Sequence, residues 1–234
     1  MVRFVDQLHS LRRPLQTQAL ASPADRLDEI TPSKIRVIFD RAAELEESGE
    51  HILHFEIGRP DFDTPQSVKE AAYRALEAGR VHYGPNAGTP QLRRALSEHL
   101  NQAIGVEYDP DHEVLVTIGA NEAVFLSVMA FCNPGDEVII PVPAWPAYEA
   151  CVRLAGATPV FLPLSEENGY TLDPNDVAAL LTRRTRMLVL CTPHNPTGAV
   201  LDKECLRSLA ELLEDSHTLV LSPRSFMTRV LERV

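Results

Sequence analysis

Five short apolar runs, EVLVTIG (113–119), DEVIIPV (136–142), TPVFLPL (158–164), RMLVLCT (186–192) and HTLVLSP (217–223), recur along the second half of the chain with helix-like segments between them. Each is apolar nearly throughout instead of alternating, which is the pattern of a strand covered on both faces. Strands of that kind, separated by helices, predict an α/β protein: a mostly parallel sheet with helices on both faces, joined by right-handed crossovers. In such sheets ligands gather at the carboxyl ends of the strands, where loops meet helix N-termini.

Proline, glycine and cap residues punctuate the helices. Thr64-Pro65 and Gly79 bracket QSVKEAAYRALEA, and Thr89-Pro90 and Gly105 bracket QLRRALSEHLNQAI. Each has an N-cap residue, proline at the first helical position and glycine just past the end. Asp173-Pro174 opens NDVAALLTRR in the same way, and Leu206, Leu209, Ala210 and Leu213 give KECLRSLAELLED one apolar face. An earlier helix is expected from Ser33 to Ser48, ending at Gly49.

A net charge of −11, with only three lysines (Lys34, Lys69 and Lys203), argues against a nucleic-acid partner. No apolar run approaches the ~18 residues of a membrane span, so neither a membrane nor a polyanion is expected as a partner. Cys132, Cys151, Cys191 and Cys205 form no C-x-x-C pair; they are expected to be reduced thiols of a cytoplasmic protein, and no metal site is expected. Residues 1 to about 22 carry Arg3, Arg12 and Arg13 with few acids, and are expected to be an extension outside the fold.

Three loops lie at strand ends. After EVLVTIG, the turn Gly119-Ala120-Asn121 opens a helix whose free N–H groups would favour an anion, phosphate above all; small residues also serve sterics at such a turn. After DEVIIPV, the only tryptophan, Trp145, sits among prolines on a stiff loop, where its indole can stack on a planar ligand or simply pack the loop onto the sheet. After RMLVLCT comes His194-Asn195-Pro196-Thr197-Gly198. Proline pushes Asn195 towards an extended conformation and Gly198 frees the backbone, so the Asn195 amide can be aimed into the crevice, although plain turn chemistry produces the same residues. His194 reads as a solvated loop residue.

Together and in order, VHYGPNAGTPQLRRAL, TIGANEAVF, GDEVIIPVPAWPAYEA and TPHNPTG closely resemble the class I/II aminotransferases, pyridoxal-phosphate enzymes of fold type I that include aspartate aminotransferase. The resemblance covers roughly residues 23 to 222. It implies residues 23–55 as an N-terminal helical arm of the small domain, 56–222 as an incomplete pyridoxal-phosphate-binding large domain, and 223–234 as a tail outside the family pattern. It implies Ala120 and Asn121 at the cofactor phosphate, Trp145 stacked on the pyridine ring and Asn195 hydrogen-bonded to the ring's phenolic oxygen. Tyr83 looks like the tyrosine that reaches the phosphate bound by the other subunit, which implies a homodimer. Gly58 is similar to the glycine whose backbone meets the substrate carboxylate; Arg59 stands where the family more often has Glu.

The family also uses an aspartate after the strand that follows the HNPTG loop, and later a Schiff-base lysine and a carboxylate-clamping arginine. Here the strand HTLVLS runs into Pro223-Arg224-Ser225-Phe226, and the chain ends at Val234. Lys34, Lys69, Lys203 and Asp215 read as solvated helix charges, so no catalytic residue is assigned. The expectation is a truncated aminotransferase, its tail the product of a frameshift or deletion after Ser222, without turnover and with poor solubility from exposed strand edges. The intact relative would exchange amino groups between an amino acid and a 2-oxo acid. The alternatives are a carbon–sulfur lyase or related synthase on the same scaffold, and a non-catalytic cofactor-binding or partner protein.

Overall fold

The computed structural model of the chain describes residues 22–30, 34–55, 58 and 60–223. Most of the N-terminal extension, Ser33 at the expected start of the first helix, Arg59, and the tail after Pro223 lie outside the described residues. A 3-10 turn at Asp25–Leu27 precedes α1 (Lys34–Glu47), α2 (Gln66–Glu77) and α3 (Pro90–Ile104). Then come α4 (Gly119–Phe131), β1 (Glu137–Val142), α5 (Ala147–Leu154), β2 (Thr158–Pro163), a 3-10 turn at Glu166–Asn168, α6 (Pro174–Leu180), β3 (Thr185–Val189), α7 (Lys203–Leu213) and β4 (Leu219–Leu221).

Two of the three expected caps form, at Thr89 and Asp173; α2 instead starts at Gln66 with Pro65 before it and no side-chain cap bond, and Asp202 adds a cap that the punctuation did not single out. Thr89 Oγ1 accepts from the Leu92 N–H at 3.4 Å, Asp173 from Asn175 at 2.8 Å and Asp202 from Cys205 at 2.8 Å. Helix α5 is the element that the prolines at 141, 143 and 146 obscure in the sequence.

All four strands are parallel, in the order β2-β1-β3-β4. Ile139 on β1 stands between Val160 on β2 and Leu188 on β3, and Leu188 pairs onward with Val220. Strand side chains alternate between faces, and on the central strands β1 and β3 both faces are buried, while β2 and β4 at the edges stay partly exposed. Val138, Ile140, Met187 and Val189 join Val124 and Val128 of α4 and Tyr148, Cys151 and Val152 of α5. Ile139 and Leu188 join Val177 of α6, Leu209 and Leu213 of α7, Leu162 and Leu172. Burying each large apolar side chain is worth about 1.5–3 kcal/mol, so these two layers supply most of what holds the sheet together.

The run at 113–119 departs from expectation. Val114–Thr117 forms no strand and belongs to no described sheet; among the described residues its backbone tie to another segment is the Val116 N–H to the Ala87 carbonyl, 3.0 Å. A strand needs a neighbour to satisfy its polar backbone, and no described strand runs beside this one. Leu115 and Ile118 are accordingly exposed. Apart from Ala42, every buried apolar residue among the described ones lies at or beyond Val124, while Val37, Ile38, Val68, Tyr73 and Leu76 on α1 and α2 face solvent. No helix among the described residues is long and apolar enough to cross a membrane.

Helix α6 stops at Leu180 instead of running to Arg184. The Thr182 N–H donates to Thr185 Oγ1 (2.8 Å), while the Thr182 hydroxyl and the Arg184 guanidinium both donate to the Glu137 carboxylate at the start of β1. Thr182 first, and Arg184 after it, hold the Glu137 carboxyl below its ordinary range. The unfolded chain therefore takes up the proton first as pH falls. The stabilisation is present above the unfolded value, about 4.3, and is lost as pH drops through the lower folded value. Glu137→Gln should flatten the acid limb of a urea-midpoint profile between pH 5 and 3; an unchanged slope would show that this cluster does not control it.

Candidate functional site

Chain connections run outward from the middle of the sheet, β1 to β2 on one side and β3 to β4 on the other, so the winding reverses between β1 and β3. A reversal of this kind opens a crevice at the carboxyl ends of the two strands. The loop after β1 carries Trp145, and the loop after β3 carries Asn195.

Helix α4 starts abruptly beside the Trp145 loop. Gly119 takes φ +74°, a left-handed conformation that glycine reaches without a Cβ clash, and its N–H folds back onto the Thr117 carbonyl at 2.9 Å. The Glu122 carboxylate accepts the Ile118 N–H. Among the described residues, the N–H groups of Ala120 and Asn121, ahead of the first intrahelical bond, have no partner. They are the open donors of a helix N-terminus, where the helix dipole also favours negative charge. The indole Nε1 of Trp145 donates to Asn121 Oδ1 at 3.1 Å, joining two predicted site residues that are 24 positions apart. One edge of Trp145 packs on the cluster formed by α4, α5 and the sheet.

The pentapeptide after β3 is a closed turn. The His194 N–H reaches the Ala199 carbonyl (2.7 Å), the Gly198 N–H reaches the His194 carbonyl (2.7 Å), and His194 Nδ1 meets Thr197 Oγ1 at 2.8 Å. Gly198 takes φ +76°, and the Asn195–Pro196 peptide is cis. The turn thus satisfies itself and leaves the half-buried Asn195 amide with no hydrogen-bond partner among the described residues.

Other predicted residues are not gathered here. Tyr83 is fully exposed, and nothing lies within 4 Å of where a Cβ on Gly58 would stand. Lys34 and Lys203 are exposed, Lys69 is ion-paired with Asp63, and Asp215 is exposed. His194, expected to be solvated, instead helps line a small cleft with Tyr148, Tyr170, Cys191 and Leu201, where burial lowers its pKa. Burial, with the Cys191 sulfur alongside, pushes the Tyr148 phenol well up. Tyr148 stands one helical turn from Trp145, and that spacing is the only signal the sequence offers for it.

The family model for aminotransferase class I and II matches residues 50–232. The chain belongs to the class I and II aminotransferases. The match runs beyond Ser222, into the stretch where the expected aspartate motif is not found. This aminotransferase chain is 42% identical over 199 residues to the aspartate aminotransferase of Pyrococcus abyssi, covering 85% of this chain and 50% of that protein. It is 42% identical over 192 residues to the bifunctional aspartate aminotransferase and glutamate/aspartate-prephenate aminotransferase of Petunia hybrida, covering 82% of this chain and 40% of that one. Its fold is similar to aspartate aminotransferase from Thermus thermophilus with maleate, at TM-score 0.84 and 38% identity over 88% of this chain and 53% of the other. The chain spans about half the length of the curated relatives it matches.

Proposed function

We propose that this aminotransferase chain forms the phosphate- and ring-binding part of a pyridoxal-phosphate enzyme that exchanges amino groups between an amino acid and a 2-oxo acid. The observation that carries the reading is the Trp145 indole held on Asn121 at the mouth of α4, beside two open amides. That donor set fits the cofactor: amides for a phosphate, an indole face for a pyridine ring, and the free amide of Asn195 for a phenolic oxygen. When bound, pyridoxal phosphate supplies a protonated ring that draws off the electrons left at an amino-acid α-carbon.

The backbone of Ala120 and Asn121 would receive the phosphate, Trp145 would cover one ring face and exclude water from it, and Asn195 would donate to the phenolic oxygen. The exposure of Tyr83 fits a tyrosine that serves a second subunit of a homodimer, and Gly58 would offer its backbone to the substrate carboxylate. The free thiols Cys132, Cys151, Cys191 and Cys205 fit a reducing cytoplasm. The three lysines of this chain stand on helix surfaces or in an ion pair, so we assign the chain binding without turnover.

Titration with pyridoxal phosphate should quench the emission of Trp145, the single tryptophan, to saturation. Asn195→Ala should weaken the binding about tenfold, the value of one hydrogen bond to a charged oxygen. Borohydride reduction of the mixture followed by peptide mass analysis should find no stoichiometric lysine adduct. Absence of a saturable quench would overturn the binding assignment, and an adduct on Lys34, Lys69 or Lys203 would overturn the assignment without turnover.

A further inference from the structure

We infer that Asn121 has two separate duties: its backbone N–H faces the anion site, while its side chain is a positioning group that holds the Trp145 indole in place. The second duty goes beyond the phosphate role that the motif implies. It rests on the cofactor reading only for its purpose, since the contact belongs to the ligand-free protein.

Trp145 Nε1 to Asn121 Oδ1 is the one hydrogen bond of the indole, at 3.1 Å, and it spans the gap between the start of α4 and the loop after β1. An indole has a single N–H donor, so this contact uses its whole hydrogen-bonding capacity. The loop itself lends little rotational restraint at the exposed edge: Trp145 is half-buried and flanked by Pro143 and Pro146, both solvent-exposed. Apolar packing against the cluster below fixes how deep the ring sits, but packing is tolerant of rotation about the axis of the ring. The bond to Asn121 fixes that rotation and therefore the plane presented to a flat ligand. The side-chain oxygen, an acceptor, has no part in holding an anion, and the donor we assign to the anion is the backbone N–H of Asn121, which has no partner among the described residues. Ring placement and phosphate binding are thus joined in one residue at the mouth of α4, but through different atoms.

The single tryptophan makes this testable in the intact chain without any ligand. Asn121→Ala removes the acceptor and should raise acrylamide quenching of Trp145 and shift its emission to the red. Asn121→Asp keeps an oxygen acceptor at the same place and should hold quenching at the wild-type value. Far-UV circular dichroism and the urea midpoint establish that each variant is folded, and Asn121→Asp is also favoured at a helix N-terminus. With ligands, Asn121→Ala should weaken unphosphorylated pyridoxine about threefold to tenfold while leaving inorganic phosphate affinity unchanged. Asn121→Asp should do the reverse, sparing pyridoxine and weakening phosphate by charge repulsion.

Unchanged quenching in a folded Asn121→Ala would overturn the positioning role. Equal losses for pyridoxine and phosphate in that variant would overturn the division between atoms. If the wild-type chain bound neither ligand, the cofactor reading would fail while the quenching comparison still decided the contact.

Discussion

Leu188→Ala should lower the unfolding free energy by about 2–5 kcal/mol, the range for emptying a well-packed leucine site. Leu188 is wholly buried at the centre of β3, paired with Ile139 on one side and Val220 on the other, in the cluster built from Val177, Leu209 and Leu213. Since whole domains are held by about 5–15 kcal/mol, the substitution removes a large share of the total. Urea unfolding measures it, with Val37→Ala on the solvent-exposed face of α1 as the control, expected within about 0.5 kcal/mol of wild type. If the two variants lost the same amount, the layer formed by α6 and α7 would not be a true core.

Gly88→Ala should be nearly as damaging, for a different reason. Gly88 takes φ +95°, and a Cβ there would stand 2.5 Å from Val116 Cγ2 and 2.7 Å from Val116 Cβ. The backbone strain alone costs about 1–3 kcal/mol, and the overlap forces the two segments apart. What they would pull against is substantial. The buried Arg93 donates to the Gly88 carbonyl at 3.3 Å and to the Pro110 carbonyl, and pairs with Asp111 at 3.1 Å. The turn after Tyr83 is thereby tied to the run that leads into α4. Hydrogen exchange should speed up in 85–90 and 114–118 together. Val116→Ala should rescue only part of the loss, since its Cβ remains too close. Full rescue, or exchange confined to one segment, would contradict the tie.

The sheet was legible in the sequence because four of the five apolar runs do pair as strands; the two central ones, β1 and β3, are buried on both faces as their lack of alternation implies, whereas β2 and β4 at the edges remain partly exposed. EVLVTIG has the same composition, yet it pairs with no described strand. Composition shows that a segment can be a strand, whereas pairing depends on a neighbour that no local pattern reveals. The caps at Thr89 and Asp173 were readable because they work within three residues. The end of α6 was not, because Glu137, far away in sequence, draws Thr182 and Arg184 out of the helix. In the site, the Gly-Ala-Asn turn and the HNPTG turn follow from short-range backbone rules. The Trp145–Asn121 bond depends on how a loop and a helix end meet, and only the folded chain contains that information.

The position of the core also bears on synthesis. Among the described residues nearly all buried apolar side chains lie from Val124 to Leu213, so α1, α2 and α3 leave the ribosome with almost no interior of their own to fold around. At roughly 5–20 residues per second the second half follows on the order of seconds later, and the exposed faces of α1 and α2 are open to chaperones, proteases and one another from the start. Folding of the second half supplies the core but leaves the α1 and α2 faces in solvent, so the beginning of the chain stays its most vulnerable part, while the segment that carries the tryptophan loop and the asparagine turn folds around an interior of its own.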